Sequence, residues 1–248
     1  MYASLCVSAW QVSTFEDESA QGEAEINQHW NESAAHSLEH VPPMVEIIDE
    51  LKSILGDELL LSNLLKRAYW HPLGVWKFPL SDNSPTSVER RIHVWDVAKL
   101  DDVLRTYECH DHKWSFFSRV ICGKFQFRIY EENPEGVQFT EFRMHSFGFD
   151  SERRTERIGK TGLLPLFSAQ LVGGDKYYFR HSHVHEIYPT QAGISATYIQ
   201  RSPYVSRTTR IFERTRDGEQ RAESAKTKRG ESSYLKSLLE KVVQSWEG

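Results

Sequence analysis

Apolar residues recur at helical spacing through Met44, Val45, Ile47, Ile48, Leu51, Ile54 and Leu55, after Pro42-Pro43 and before Gly56, which predicts a helix with one buried face. Asp57 then stands as the N-cap of a second helix over Glu58 to Tyr69. Its Leu60, Leu61, Leu64, Leu65 and Ala68 form a stripe that His71-Pro72 ends. From Leu73 the period falls from 3.6 to two. Trp76, Phe78 and Leu80 alternate with Val75 and Lys77, and after a polar turn at Ser81 to Ser87, Arg91, His93 and Trp95 alternate with Ile92 and Val94. Further strands are expected through the apolar run ending at Cys122, at Lys124 to Glu131 and at Val137 to Met144, the last two joined by a turn at Asn133-Pro134-Glu135-Gly136. Asp150 to Gly162, with Glu152, Arg153, Arg154, Glu156 and Arg157, reads as a charged loop or extra hairpin. Strands resume at Leu164 to Val172, Tyr177 to Phe179, His185 to Tyr188, Ile194 to Gln200 and Thr208 to Glu213.

The remaining segments flank this β region. Residues 1–40 carry too few apolar positions to pack a face and read as a flexible acidic arm. Arg214 to Glu231 reads as a charged linker before a final amphipathic helix of Leu235, Leu238, Leu239, Val242, Val243 and Trp246. The expected organisation is an arm (1–40), a helical pair (41–72), a β domain (73–213), and a linker with a terminal helix (214–248). So many short strands favour a sandwich or barrel. The last helix docks on that barrel or on a second copy, so a homodimer is a candidate assembly.

Composition narrows the partners. A hydrophobic fraction of 39% and an aromatic fraction of 12% describe a folded chain, and a net charge of -5 gives no whole-chain reason to expect nucleic acid. No run approaches the ~20 apolar residues of a membrane helix. The three cysteines, Cys6, Cys109 and Cys122, lack metal or disulfide spacing, which suits a reducing compartment and a cytoplasmic location.

The chemistry concentrates in histidines. His110 and His112 are two residues apart, so in an extended chain they point the same way and can offer two imidazoles to one ion. About seventy residues later come His181, His183 and His185, which share a parity. Around them stand Trp114 and Phe116 as candidate pocket wall, and Lys77 and Arg91 as candidate anion-binding groups. His93, Arg91 and Tyr198 are candidate catalytic groups.

This pattern resembles the cupin superfamily. His110, His112 and Gly123 fit the spacing of its first motif, with Phe116 where that motif carries Glu and Leu104 where it opens on Gly. Gly174 and His185 fit the second, with Arg180, Ser182 and Pro189 replacing its Pro, Gly and Asn. The resemblance covers roughly Leu73 to Glu213. It implies a mainly β, jelly-roll double-stranded β barrel, with His110, His112 and His185 as metal ligands and His181 or His183 as alternates for the third. A set of three histidines without the carboxylate is similar to the thiol dioxygenase branch, represented by cysteine dioxygenase, although Thr197 to Pro203 does not reproduce that branch's Ser-x-His-x-Tyr pattern. The function implied is a mononuclear metal cupin enzyme: a non-haem iron dioxygenase that binds Fe(II) and takes dioxygen and a small, anionic or thiol-containing substrate. Zn, Ni, Cu and Mn are alternative metals. A metal-dependent isomerase, lyase or hydrolase on the same scaffold, or a non-catalytic metal-binding cupin, are the alternatives in function.

Overall fold

A computed structural model describes residues 41–71, 73–82, 86–99, 109–145, 154–206, 208–214 and 228–247. The expected arm, Leu104, and the linker over 215–227 lie outside them.

Two helices open the described chain, α1 (Met44–Gly56) and α2 (Glu58–Arg67). The Asp57 carboxylate accepts from the backbone N–H of Leu59 and Leu60 at 2.8 and 3.0 Å, which satisfies two of the donors that a helix start leaves open. The second helix is two residues shorter than its apolar stripe predicts. Tyr69–His71 instead forms strand β1, paired in register with β2 (Val75–Pro79), because a sheet edge outcompetes a weak local helix preference. The strands that follow are β3 (Glu89–Asp96), β4 (Cys109–His110), β5 (Phe116–Cys122), β6 (Lys124–His145), β7 (Arg154–Val172), β8 (Lys176–Phe179), β9 (Val184–Pro189), β10 (Ile194–Arg201) and β11 (Thr208–Arg214). Helix α3 (Ser232–Glu247) ends the described chain.

The strands form two antiparallel sheets, β1-β2-β3-β10-β5-β8 and β11-β4-β9-β6-β7. Their pairing is nested: β6 with β7, β5 with β8, β4 with β9 and β3 with β10. A long hairpin rolled up so that successive strands alternate between two sheets gives this order, and it defines a jelly roll. Ile92, Val94, Ala196 and Tyr198 on the outer face of the first sheet pack against Ile47, Leu51, Leu64, Leu238 and Val242 of the three helices. Between the sheets, Val75, Trp95, Val120 and Phe125 close one end of the barrel, and Phe116, Phe127 and Phe179 make a second apolar layer.

Two expectations fail in the β6–β7 region. Asn133 to Gly136 is not a hairpin turn. It is an insertion within one continuous strand, since both Glu132 and Val137 pair with Leu163. The charged stretch expected as a loop is the start of β7 from Arg154 onward, while Glu152 and Arg153 lie outside the described residues. The bulge bends β6 so that its first half pairs with β9 and its second half with β11, which also pairs with β4. A small second core of Cys109, Tyr130, Phe139, Leu163, Val184 and Phe212 results.

That bend depends on glycine. A Cβ on Gly162 would collide with the backbone carbonyl oxygen of Asn133, and one on Gly136 with the backbone of Leu163. Gly159, three residues away on the same strand, has open space at that position. Gly162→Ala is therefore expected to cost about 1–3 kcal/mol, the usual range for overpacking, while Gly159→Ala is neutral. Urea denaturation of the two variants checks this, and equal stabilities would show that the bulge yields freely.

Candidate metal centre

The nested pairing brings distant histidines together. His110 on β4 is the direct cross-strand partner of His185 on β9, so their side chains leave the sheet on the same face. After His110 the strand stops. The Asp111 carboxylate turns to Arg210, accepting from its backbone N at 2.6 Å and its Nε at 2.7 Å. His112 then donates its backbone N–H to the His181 carbonyl at 3.0 Å. Ser115 exchanges bonds with Ser202, and its Oγ accepts from the His181 N–H at 3.2 Å. These contacts hold residues 111–115 against β11, the β8–β9 turn and Ser202 just after β10.

Ligand-capable nitrogens of His110, His112 and His185 all lie within 4.8 Å of one another. His112 Nε2 and His185 Nε2 are 3.4 Å apart. Two nitrogens bound to one ion at about 2.0–2.1 Å, subtending roughly 90–109°, would stand about 2.8–3.4 Å apart, so that pair lies at the upper end of the spacing for a shared ion. Burial, then the neighbouring histidines, then Lys77 and Arg91 hold His112 well below the ordinary imidazole value; burial, His110 and His183 do the same for His185. Both rings are neutral near pH 7, the form that donates a lone pair to a metal. His185 turns its Nε2 toward His112 Nε2, while its buried Nδ1 has no hydrogen-bond partner among the described residues. The donor set fits a divalent transition metal held by imidazole.

Its surroundings are aromatic on one side and cationic on the other. Phe116 is buried, with its ring centroid 4.9 Å from that of His112, and Phe179 lies 4.1 Å from His185. The position where the cupin pattern carries a carboxylate thus faces the cluster with an apolar ring. Trp114 lies against His112 and Tyr204. Arg91 and Arg201 both stand over the Trp114 ring and share the Glu89 carboxylate, at 2.7 and 2.6 Å. Lys77 and His93 are cross-strand partners on the inward face of β2 and β3. A cleft of about 250 Å³, lined by His112, Arg143, His181, Ser182 and Thr208 among others, connects His112 with solvent.

Three expectations are corrected. Tyr198 does not reach the histidines: it pairs with Ile92 on the helix-covered face, is wholly buried there, and donates to Gln200 Oε1 at 3.0 Å. With a period of two, it is Thr197, Ile199 and Arg201 that point inward. His181 and His183 are not in the cluster either. Residues 180–183 form a turn in which Arg180 O accepts from His183 N, so the parity assumed for a straight strand breaks before His185. Sequence reasoning also missed Glu89, Arg201 and Thr197. The parity of Arg91 and His93 could have pointed to Glu89, whereas Arg201 and Thr197 needed the register of β10. Cys109 adds no thiolate to the site: burial first, then Glu186, pushes its thiol up to about 12.

The neutral histidines set a pH dependence. His93, His112 and His185 all titrate well below the unfolded value of 6.5, each chiefly through burial. Below that pH the unfolded chain takes up protons that the folded chain refuses. Stability of the metal-free protein is therefore complete above about pH 6.5 and declines as pH falls toward the depressed values, by up to about 1.4 kcal/mol per histidine per unit. Urea melts at pH 7, 6 and 5 measure it, and a flat profile would contradict the burial.

No family model matches this chain, and no curated protein does. Among solved structures, the hydroxypropylphosphonic acid epoxidase from S. wedmorenis is similar at 11% identity and a TM-score of 0.34 over 55% of this chain and 56% of its own. A single-residue variant of oxalate decarboxylase from Bacillus subtilis aligns at 13% identity and 0.28 over 52% and 26%. A cupin-like protein from Thermotoga maritima aligns at 11% and 0.30 over 57% and 77%. The chain thus spans about half the length of the epoxidase, and the jelly-roll assignment rests on the strand order itself.

Proposed function

We propose that this protein is a mononuclear metal enzyme, a non-haem iron oxygenase acting on a small anionic substrate, a thiol among the candidates. The observation that carries this reading is the convergence of three neutral imidazoles without a carboxylate. Such a set leaves the bound ion its full positive charge and open positions. Fe(II) there would supply redox chemistry and a place for dioxygen and substrate to meet.

The chain's own residues do the rest. His110, His112 and His185 would hold the ion. Phe116, Phe127 and Phe179 exclude water from its inner side, and the Trp114 ring limits the approach. Lys77 and Arg91 face the cluster and favour an anion. A second reading, a metal-dependent hydrolase, lyase or isomerase, draws on the solvent-connected cleft at His112.

One experiment separates them. The full chain is loaded anaerobically with Fe(II) or Zn(II) and offered small thiols and carboxylates under dioxygen. Oxygen uptake with Fe(II) alone is expected. Product formation with Zn(II) and no oxygen consumption would favour the second reading, and neither result with a fully loaded protein would sink both.

A further inference from the structure

Strand β7 ends the second sheet: β6 pairs with one side of it, and among the described residues no strand pairs with the other. Folded proteins guard such an edge with charges, above all Lys, because a row of unpaired backbone groups is a template for another strand. The guard is missing over most of β7. From Thr161 to Val172 no side chain is charged, a stretch of about 40 Å at ~3.3 Å per residue. At its middle it reads Leu163-Leu164-Pro165-Leu166-Phe167. Pro165 and the bulge that leaves Leu166 without a partner on β6 interrupt the bonding row, yet neither repels a second strand.

Exposed apolar side chains gather on the same edge. Leu166 is 65% exposed, Ile158 43%, and Phe167 and Val172 40% each, while Val137, opposite Leu163, is 54% exposed. Half of the large apolar side chains that the described residues expose thus lie on or beside this one strand. Phe167 is opposite Ile129, and Leu171, two positions of the ladder further on, packs into the barrel core. The exposure of Phe167 therefore comes from the open edge. The three helices do not cover it, since they pack on the outer face of the other sheet.

The order of residues along β7 says what does. Laid antiparallel to a second copy about a twofold axis at Leu166, that side chain meets its own counterpart, Pro165 meets Phe167, and Leu163 meets Ala169. The neutral run falls on itself. Beyond it, Glu156 of each copy comes level with Lys176 of the other, and Arg157 with Asp175, so opposite charges meet at both ends and like charges at neither. Opposite charges across a strand pair are stabilising and like charges destabilising. Such an isologous pair also consumes both free edges, which closes the assembly at two.

We propose that β7 is the seam of a homodimer in which two copies pair edge to edge about Leu166. The seam is separate from the three-histidine cluster and does not depend on what that cluster holds.

The test is sedimentation velocity of the full chain over about a hundredfold range of concentration. A dimer is expected. Leu166→Lys sets two ammonium groups face to face and should weaken association tenfold or more. Arg157→Glu should weaken it several-fold, with added salt restoring part of the loss. Both side chains are exposed, so cooperative melts should persist. Trp246→Lys, on the exposed face of α3, should leave the dimer intact. Directly opposed residues stand about 4.5–5.5 Å apart at Cα, within reach of a disulfide. In a Cys6→Ser background, Leu166→Cys should therefore oxidise to a covalent dimer, whereas Gln170→Cys, exposed on the same strand but away from the axis, should not. A dimer indifferent to Leu166→Lys, one lost in Trp246→Lys, or equal cross-linking at the two positions would move the interface elsewhere and overturn the proposal. Species larger than two would mean open-ended strand addition and overturn the closed pair. A monomer throughout would overturn it as well, and β7 amides protected from hydrogen exchange in that monomer would give the edge to residues 1–40.

Discussion

His185→Ala is expected to abolish stoichiometric metal retention in an otherwise folded chain, with His110→Ala and His112→Ala doing the same. The three nitrogens form one set within 4.8 Å, and two imidazoles alone make a weak site. Losing an outer-shell partner of a metal ligand costs about 10–100-fold in affinity; losing a ligand outright should exceed the upper end of that range. His183→Ala is the informative control. That ring sits in the β8–β9 turn, 5.7 Å from Phe179 by centroid and outside the cluster, so its removal should leave metal content intact. Elemental analysis of proteins first shown to melt cooperatively decides the matter. Full occupancy in His185→Ala, or loss in His183→Ala, would move the third ligand back into the turn.

Replacing Glu89 with Ala should be the most destabilising single change in the barrel. Glu89 Oε1 meets Arg91 Nη2 at 2.7 Å, while Oε2 accepts from Arg201 Nη2 and Nε at 2.6 and 2.7 Å. Arg201 is entirely buried and Glu89 is 1% exposed. Removing the carboxylate takes from two buried guanidiniums the acid they share, although Arg201 Nη1 still donates to Ser202 O at 2.9 Å. Breaking a buried pair from one side costs about 3–5 kcal/mol, which for a chain of this size lowers Tm on the order of 10 °C. Glu89→Gln keeps an acceptor and should fall between. Salt should change little, because the pair lies beyond the reach of screening ions. A loss below about 1 kcal/mol, the value of an exposed pair, would show that solvent enters beside Trp114.

Local pattern alone determined a good deal. The period of two from Val75 onward, the amphipathic stripes of the three helices and the Asp57 cap follow from residue order, because side-chain periodicity is set by backbone geometry. His110 and His112 on one side of the chain follow from the same rule. Gly123 is explained locally only in its positive φ of 92° at the turn from β5 to β6; that a Cβ there would strike Ser195 is decided by the tertiary packing of β10.

What the order of residues could not decide is anything that depends on register or on continuity through an irregularity. A Pro and a Gly within Asn133 to Gly136 are turn chemistry, yet here they make a bulge, because the partner strand β7 runs on past it. Tyr198 and Thr197 are adjacent, and only the pairing with Ile92 and His93 tells which of them looks inward. His181, His183 and His185 share a parity on paper, and a single turn at 180–183 spoils it. The meeting of His110 with His185 comes from the rolled hairpin that nests β4 beside β9. That contact closes across about seventy-five residues and is offset by burial of the whole barrel, so no local preference could announce it.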